Sequence, residues 1–280
     1  MKIAVLSGKG GTGKTLVSVN LAELAGEALY LDCDVEEPNG YLFFRPQQLE
    51  TQAVTVKIPV IDQEKCTGCR ECVDFCQFNA LAYIKDRLIV FEEICHSCGG
   101  CVLVCPEKAF TEKDKEIGRI ERGISGHVQV HTGILNPGEE SGTPIINCLL
   151  GDSDDHSDLL TVIDCPPGTS CIVMDTVAGA DYCVLVAEPT IFGAHNLAMV
   201  HELVTLMGKP FGVVLNKIQE GDNPSEQFCV DKEIPVLGRI PFDQKLGLLN
   251  SNGAIAVRED EAYRRIFSDL LTAIRKEAGL

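Results

Sequence analysis

The chain has 280 residues, 45% of them apolar and 23% charged, with no tryptophan, which is the composition of a globular protein long enough for a sizeable core. Its formal net charge of −17 disfavours phosphate backbones and anionic lipid as partners, so neither nucleic acid nor membrane is expected. No apolar run approaches the roughly 18 residues of a membrane span, and four apolar residues before the first glycines are too few for a secretion signal, so a cytoplasmic location is expected.

Taken in chain order, short apolar runs alternate with helical patterns. Strands are predicted at 2–6, 29–31, 159–163, 183–187, 211–215 and 235–240, and helices at 14–25, 169–179, 190–207 and 259–277. This alternation predicts an α/β architecture with a mostly parallel sheet covered on both faces. Between them lies a block of different character. Eight of the fourteen cysteines fall between Cys66 and Cys105, and the block interrupts the pattern after the second or third strand. It reads as an insertion with edges near Pro59 and Lys113, giving a discontinuous domain of 1–59 and 114–280 around an inserted domain of 60–113. Fourteen cysteines in a reducing compartment point to metal rather than disulfides.

The first chemical motif is Gly8-Lys9-Gly10-Gly11-Thr12-Gly13-Lys14-Thr15, which fits the phosphate-binding pattern G-x-x-x-x-G-K-[ST]. A buried strand precedes it and a helix follows, so successive backbone N–H groups and the helix N-terminus converge on an anion. Lys14 is then placed to reach the β- and γ-phosphates, and the Thr15 hydroxyl to bind Mg²⁺. Asp32 and Asp34 leave a strand two residues apart, and Asp164 ends another. All three carboxylates are candidates for the neighbourhood of Mg²⁺ and the attacking water, Asp32 and Thr15 as metal-binding residues and Asp34 as the water-orienting one.

The early lysine makes the loop resemble the deviant Walker A signature of the MinD/ParA class of P-loop ATPases, to which the nitrogenase iron protein belongs. Asp32-Cys33-Asp34 with Asn39 resembles the family's switch I. Asp164-Cys165-Pro166-Pro167-Gly168-Thr169 resembles Walker B running into switch II. Asn216-Lys217 and Pro241-Phe242-Asp243 resemble its adenine-pocket segments. The resemblance implies a mostly parallel P-loop sheet flanked by helices, ATP binding and hydrolysis, and a homodimer or paralogue heterodimer closed across ATP, with Lys9 reaching the partner's nucleotide.

The second motif is Cys66-x2-Cys69-x2-Cys72-x3-Cys76 followed by Cys95-x2-Cys98-x2-Cys101-x3-Cys105-Pro106. Two triple repeats exceed what one zinc site needs. Each run resembles that of bacterial ferredoxins, in which the fourth cysteine ligates the other cluster. The resemblance implies an α+β ferredoxin domain with two [4Fe–4S] clusters, one on Cys66, Cys69, Cys72 and Cys105, the other on Cys95, Cys98, Cys101 and Cys76. Gln77 departs from the proline usual after the fourth cysteine, and His96 reads as a loop residue beside a complete ligand set. Two such clusters add negative charge to an acidic chain, so a redox partner with a basic docking face is expected.

Weaker features receive plainer readings. Cys171 lies where the iron protein has a cluster cysteine, but 131–142 holds no counterpart of its second one, and Cys171 reads as packed. Cys165 reads as filling space, and Cys229 stands alone. His127 and His131 share a face of a strand, read as a polar sheet face. Asp152, Asp154, Asp155 and Asp158 around His156 read as a solvated loop. Segment 257–280 carries five acids and five bases and reads as a helix docked on the sheet, not as a membrane tail. Together the two motifs suggest an ATPase that gates electron transfer. A carrier of iron–sulfur clusters, or a positioning ATPase with a redox-sensing ferredoxin, remain open beside it.

Overall fold

The computed structural model describes residues 1–156 and 158–279; Leu280, the last residue of the segment expected to dock, lies outside them. The chain opens with β1 (Lys2–Leu6), the glycine-rich loop, α1 (Lys14–Leu24), β2 (Ala28–Asp32) and α2 (Gly40–Phe44). A long strand, β3 (Gln47–Ile61), leads into the cysteine block. That block contains α3 (Glu71–Phe75), the hairpin β4 (Leu81–Ile84) and β5 (Arg87–Val90), and α4 (Gly100–Val104). The chain returns through β6 (Phe110–Ser125), β7 (Val128–Leu135) and α5 (Thr143–Asp155). It closes with β8 (Leu160–Asp164), α6 (Cys171–Ala178), β9 (Tyr182–Ala187), α7 (Ile191–Leu206), β10 (Phe211–Ile218), α8 (Pro224–Asp231), β11 (Val236–Pro241), α9 (Gln244–Ser251), α10 (Ala256–Glu259) and α11 (Glu261–Glu277).

Nine strands form one sheet in the order β11-β10-β9-β1-β8-β2-β7-β6-β3. The seven from β11 to β7 run parallel, and β6 and β3 extend the sheet antiparallel. The mostly parallel sheet is therefore as expected. Residues 3–6 of β1 and all of Tyr182–Ala187 are apolar because helices bury both faces of these strands. On one face α5, α6 and α7 cover a core that includes Leu31, Ile146, Ile163 and Val200; on the other α1 and α11 cover Ile3, Val5, Val162 and Val184. The C-terminal helix docks as expected. Tyr263, Phe267, Leu270, Leu271 and Ile274 form its buried stripe, and the Asp260 carboxylate caps its start by accepting from Ala262 N at 2.8 Å.

Several elements depart from the sequence reading. The long pair β3/β6 was not anticipated. Its ladder runs from Gln47↔Ile124 to Ile61↔Phe110, and Asp62 N donates to Ala109 O at 2.7 Å just beyond it. Pro59 sits inside β3, which is tolerated because β3 is the edge of the sheet. The acidic run is a solvated loop only in part: Asp158 lies in an exposed turn, but Asp152 and Asp154 lie in α5, where Asp154 is exposed and Arg122 and His131 both hold the Asp152 carboxylate. That contact also overturns the reading of the two histidines as one polar sheet face, since His127 is exposed before β7 and His131 is buried within it. The cysteine block has its own small core, with Leu81, Leu88 and Phe110 among the cysteines.

Candidate functional sites

The carboxyl ends of β1, β2 and β8 deliver the chemistry to one edge of the sheet, where parallel α/β folds bind ligands. Asp32 and Asp164 are register partners on adjacent strands, and Val5 stands opposite Asp164 on the other side. The loop between Ser7 and Thr15 curls over this edge. Gly13 caps α1 with φ of 96°, and a Cβ there would stand 2.1 Å from Asn216 Nδ2, so only glycine fits. Asn216 in turn donates to Thr12 O at 2.7 Å, which ties β10 to the loop.

A crevice of about 460 Å³ opens beside this loop. Lys9, Gly10, Gly11, Gly13, Lys14 and Thr15 line it from one side, Asp34 and Asn39 from another, and Asn216, Pro241 and Phe242 from a third. Gly8, Thr12, Asp32 and Asp164 lie beneath rather than on its wall. Gly8 backs onto α7, where a Cβ would stand 2.4 Å from Asn196 O. Thr12 Oγ1 is buried without a partner, an uncommon state for a hydroxyl and one that a bound anion would relieve.

Beneath the loop a polar cluster fixes Lys14. Its ammonium stands 2.9 Å from Asp164 Oδ1 and 3.7 Å from Asp34 Oδ2. Tyr30 donates to the other Asp164 oxygen at 3.0 Å, and Ser18 Oγ donates to Oδ1 at 3.2 Å. Asp32 is also buried, but its oxygens accept from the backbone N–H groups of Asp34, Asn39 and Gly40, so it holds the switch I loop in shape. Of the three carboxylates, Asp34 is the one that faces the crevice.

Burial disfavours the Lys14 charge, but Asp164 and Asp34 outweigh it and hold its pKa above the ordinary lysine value. Burial first, and then the charge of Asp164, push the Asp32 carboxyl up to about 8. Burial also raises Asp34, an effect that Lys14 partly offsets. Three acidic side chains thus share one ammonium, and the site balances them by keeping a proton on Asp32, which a divalent cation would displace. Among the described residues no three His, Cys, Asp or Glu side chains converge to hold a metal ion by themselves. Mg²⁺ ordinarily needs only one or two protein oxygens, completing its shell with phosphate and water.

Lys9 is placed otherwise than the resemblance implies for a closed dimer. Its ammonium pairs with Glu188 of the same chain at 2.8 Å, and Lys217 holds the other oxygen of Glu188. Glu188 escaped the sequence reading. The available signal was a carboxylate ending a wholly apolar strand, the same signal that marks Asp164.

In the cysteine block the structure brings the thiols together in two groups. Cys66, Cys69 and Cys72 line one small cavity with Cys105, and Cys95, Cys98 and Cys101 line another, of about 200 Å³, with Cys76. Each cavity therefore draws three cysteines from one run and the fourth from the other run. Apolar walls complete them: Tyr83, Leu88 and Phe110 in the first; Phe75, Phe78 and Leu81 in the second. Gly68 has φ of 71°, and a Cβ there would stand 2.4 Å from Tyr83 Oη, so the turn can lie flat against the cavity wall. Burial, followed by Cys95, pushes the Cys101 thiol up to about 11; crowded thiols resist ionising alone, and coordination to iron relieves that. The second hollow, with four cysteines around about 200 Å³ of apolar space, is larger than any single ion needs and suits a [4Fe–4S] cluster; the first encloses only about 20 Å³, so its four cysteines would have to move apart to hold one.

The remaining cysteines divide. Cys33, Cys165, Cys183 and Cys229 are buried, with Cys165 pushed up to about 12 chiefly by that burial. Cys171 is exposed at the start of α6, so its reading as a packed residue is wrong, because the switch II turn carries it to the surface. No helix among the described residues is long and apolar enough to cross a membrane.

Comparison with known proteins agrees with this layout. A protein of Methanocaldococcus jannaschii, MJ0578, is 30% identical over 271 residues, covering 95% of this chain and 96% of its own length. A ferredoxin of Methanothermococcus thermolithotrophicus is 40% identical over 57 residues, covering 19% of this chain and 95% of the ferredoxin. The fold matches the septum site-determining protein MinD of Pyrococcus horikoshii, solved with Mg-ADP, with a TM-score of 0.58 and 19% identity over 99% of this chain and 97% of that one. The CobQ/CobB/MinD/ParA nucleotide-binding domain spans residues 3–256, so the chain belongs to that family and is a MinD-like P-loop ATPase carrying a ferredoxin-like segment.

Proposed function

We propose that this protein hydrolyses ATP and couples the nucleotide state of a dimer to electron transfer through two [4Fe–4S] clusters. The observation that carries the reading is the pairing, in one chain, of a phosphate-loop crevice with two hollows, each ringed by four thiols. Cys66, Cys69, Cys72 and Cys105 would hold one cluster, and Cys76, Cys95, Cys98 and Cys101 the other. Bound there, the clusters supply one-electron chemistry.

In hydrolysis a water oxygen forms a bond to the γ-phosphorus, and the bond to the bridging oxygen breaks to leave ADP and phosphate. The glycine-rich loop binds the phosphates through its N–H groups, and Lys14, already fixed by Asp164, offsets the charge that develops on them. Thr15 and Asp32 would hold Mg²⁺, with Asp164 as a further nearby carboxylate. Asp34 faces the crevice and orients the attacking water. Asn216 and Pro241 frame the base. Mg²⁺ when bound neutralises the surplus of carboxylates. Lys9 serves a second copy of the chain or a paralogue, once released from Glu188. A redox partner with a basic face suits the net charge of −17.

Stopped-flow mixing tests the coupling: the rate at which an oxidised acceptor protein takes electrons from the reduced protein should change with ATP and not with ADP. Equal rates with both nucleotides and with none overturn it. Exposed Cys69 and Cys98 favour one second reading, delivery of a cluster to another protein. It predicts loss of iron to an apo-acceptor, where the first predicts retention of about eight irons per chain.

A further inference from the structure

A short series of contacts joins the nucleotide crevice to one of the two thiol hollows and bypasses the other. It starts at Val35, the residue after Asp34. The Val35 carbonyl accepts from Leu135 N at 2.9 Å, so switch I is tied to the end of β7. The Val35 side chain is buried between two glycines. A Cβ on Gly133 would stand 2.7 Å from it, and a Cβ on Gly142 2.4 Å. Packing this close transmits displacement, because interior side chains have little free space to absorb it.

Gly133 and Gly142 bracket the turn that leaves β7. On this turn Glu139 pairs with Lys115 at 2.8 Å, and Lys115 also donates to Glu92 O at 3.1 Å. The adjacent Glu140 pairs with His96 at 3.2 Å. His96 lies between Cys95 and Cys98 in sequence, and its ring stacks on Phe78 with centroids 3.7 Å apart. A cavity of about 290 Å³ lies at this seam, with Cys95, Lys115 and Glu139 on its wall. Among the described residues, no hydrogen bond or ion pair runs from the turn to the loop of Cys66 to Cys72.

We propose that the 136–141 turn conveys the state of switch I to the loop of Cys95, Cys98 and Cys101, so that nucleotide acts on that thiol hollow and not on the one of Cys66, Cys69, Cys72 and Cys105. Glu139 and Glu140 are the positioning residues. The inference rests on the functional reading above and adds to it which of the two clusters responds. Switch segments of P-loop proteins order around the γ-phosphate and relax after hydrolysis, and that supplies the two states. Glu140 and His96 are both partly exposed, so their pair contributes little to stability and its loss leaves the fold intact.

Hydrogen–deuterium exchange on the anaerobic holoprotein tests this with ADP, with a non-hydrolysable ATP analogue and with no nucleotide. With the analogue, protection should change in 34–39, 136–142 and 92–101 together, and stay constant in 64–72. In Glu140→Gln and in Glu139→Gln/Glu140→Gln the change in 34–39 should persist, and that in 92–101 should be lost. A parallel reading comes from electron paramagnetic resonance of the reduced protein, where the analogue should alter one of two cluster signals, and not in the double variant. An equal response of 64–72, or a response of 92–101 that survives both variants, overturns the relay. Silence of 34–39 instead overturns the nucleotide reading. A relay intact by exchange, with electron-transfer rates indifferent to ATP, overturns the proposed function alone.

Discussion

Glu188 holds Lys9 in an ion pair of 2.8 Å inside its own chain, and its other oxygen holds Lys217 at 2.5 Å. Lys217 in turn donates to Gly11 O at 2.7 Å, so a single carboxylate anchors both the early lysine and the phosphate loop. Lys9 is 40% exposed and Glu188 only 13%, which makes Lys9 the mobile member of the pair. Departure of Lys9 toward a nucleotide in a second copy leaves Glu188 still neutralised by Lys217.

The Glu188→Gln variant therefore removes the competitor for Lys9. A partly exposed ion pair is worth about 1 kcal/mol or less, so ATP-dependent dimerisation should occur at a roughly two- to fivefold lower ATP concentration. Analytical ultracentrifugation across an ATP series measures this. Lys9→Ala should abolish the dimer while leaving nucleotide binding to the monomer. Dimerisation of Lys9→Ala at the wild-type ATP concentration would remove Lys9 from the interface.

The buried carboxylates beneath the loop give stability an unusual dependence on pH. Asp32 has its pKa pushed up to about 8 by burial and by Asp164, so the folded state keeps a proton that the unfolded chain has already lost above its ordinary value near 4. Stability from this group is fully present below about pH 4 and is lost as pH rises toward 8. The melting temperature of the apoprotein should accordingly fall over that interval. Saturating Mg²⁺ with ADP should reduce the fall, because the cation offsets the surplus charge. Asp32→Asn should flatten the curve even though it weakens the switch I turn. A fall of equal slope in Asp32→Asn would assign the effect elsewhere.

Much of this arrangement is legible in the sequence, and for a physical reason. The phosphate loop and the cysteine runs are local patterns, in which spacing along the chain dictates spacing in space. Asp32 and Asp164 announce themselves by ending apolar strands. Glu188 ends one too, but Ala187-Glu188-Pro189 matches no familiar segment, and its role depends on Lys9 and Lys217, which lie far away in sequence. The strands β3 and β6 were hidden by their own exposure: β3 is an edge strand whose first seven residues face solvent, and β6 carries eight charges in sixteen residues. The second half of β3 does carry a signal that the sequence reading passed over, because Val54, Val56 and Ile58 alternate and Val54 and Ile58 are buried. The helix α5 was missed for another reason, since its Asp152 is satisfied by partners 21 and 30 residues away rather than by water.

That Asp152 cluster carries its own prediction. Arg122 grips the carboxylate with two nitrogens, at 2.7 and 2.9 Å, and His131 Nδ1 lies 2.8 Å from it. Burial opposes the charge, but these partners outweigh it and pull the Asp152 pKa down to about 2. The group is only half-buried, so Asp152→Ala should cost about 1–3 kcal/mol, chiefly by leaving His131 without this partner and Arg122 with only Gln52 Oε1 as acceptor. The stabilisation is present above the ordinary carboxylate range and is lost as pH falls toward 2. Denaturant unfolding at pH 7 and pH 3 checks both points, and the difference between variant and wild type should shrink at the lower pH. A constant difference between them would mean that packing, not charge, holds α5 to β6 and β7.

The grouping of thiols predicts which cysteines share a fate. Cys105 lines the hollow of Cys66, Cys69 and Cys72, although it is 33 residues beyond the last of them and only four beyond Cys101. Cys76 likewise lines the hollow of Cys95, Cys98 and Cys101. If each hollow holds one cluster, Cys66→Ser and Cys105→Ser should remove or alter the same species, and Cys76→Ser and Cys95→Ser the other. Anaerobic reconstitution followed by Mössbauer or electron paramagnetic resonance spectroscopy distinguishes the two groups. Loss of one cluster should leave about four irons per chain, because the partner hollow keeps its own four thiolates. The opposite grouping, with Cys105→Ser behaving like Cys101→Ser, would mean that each run closes on itself, and the crossed arrangement would fail.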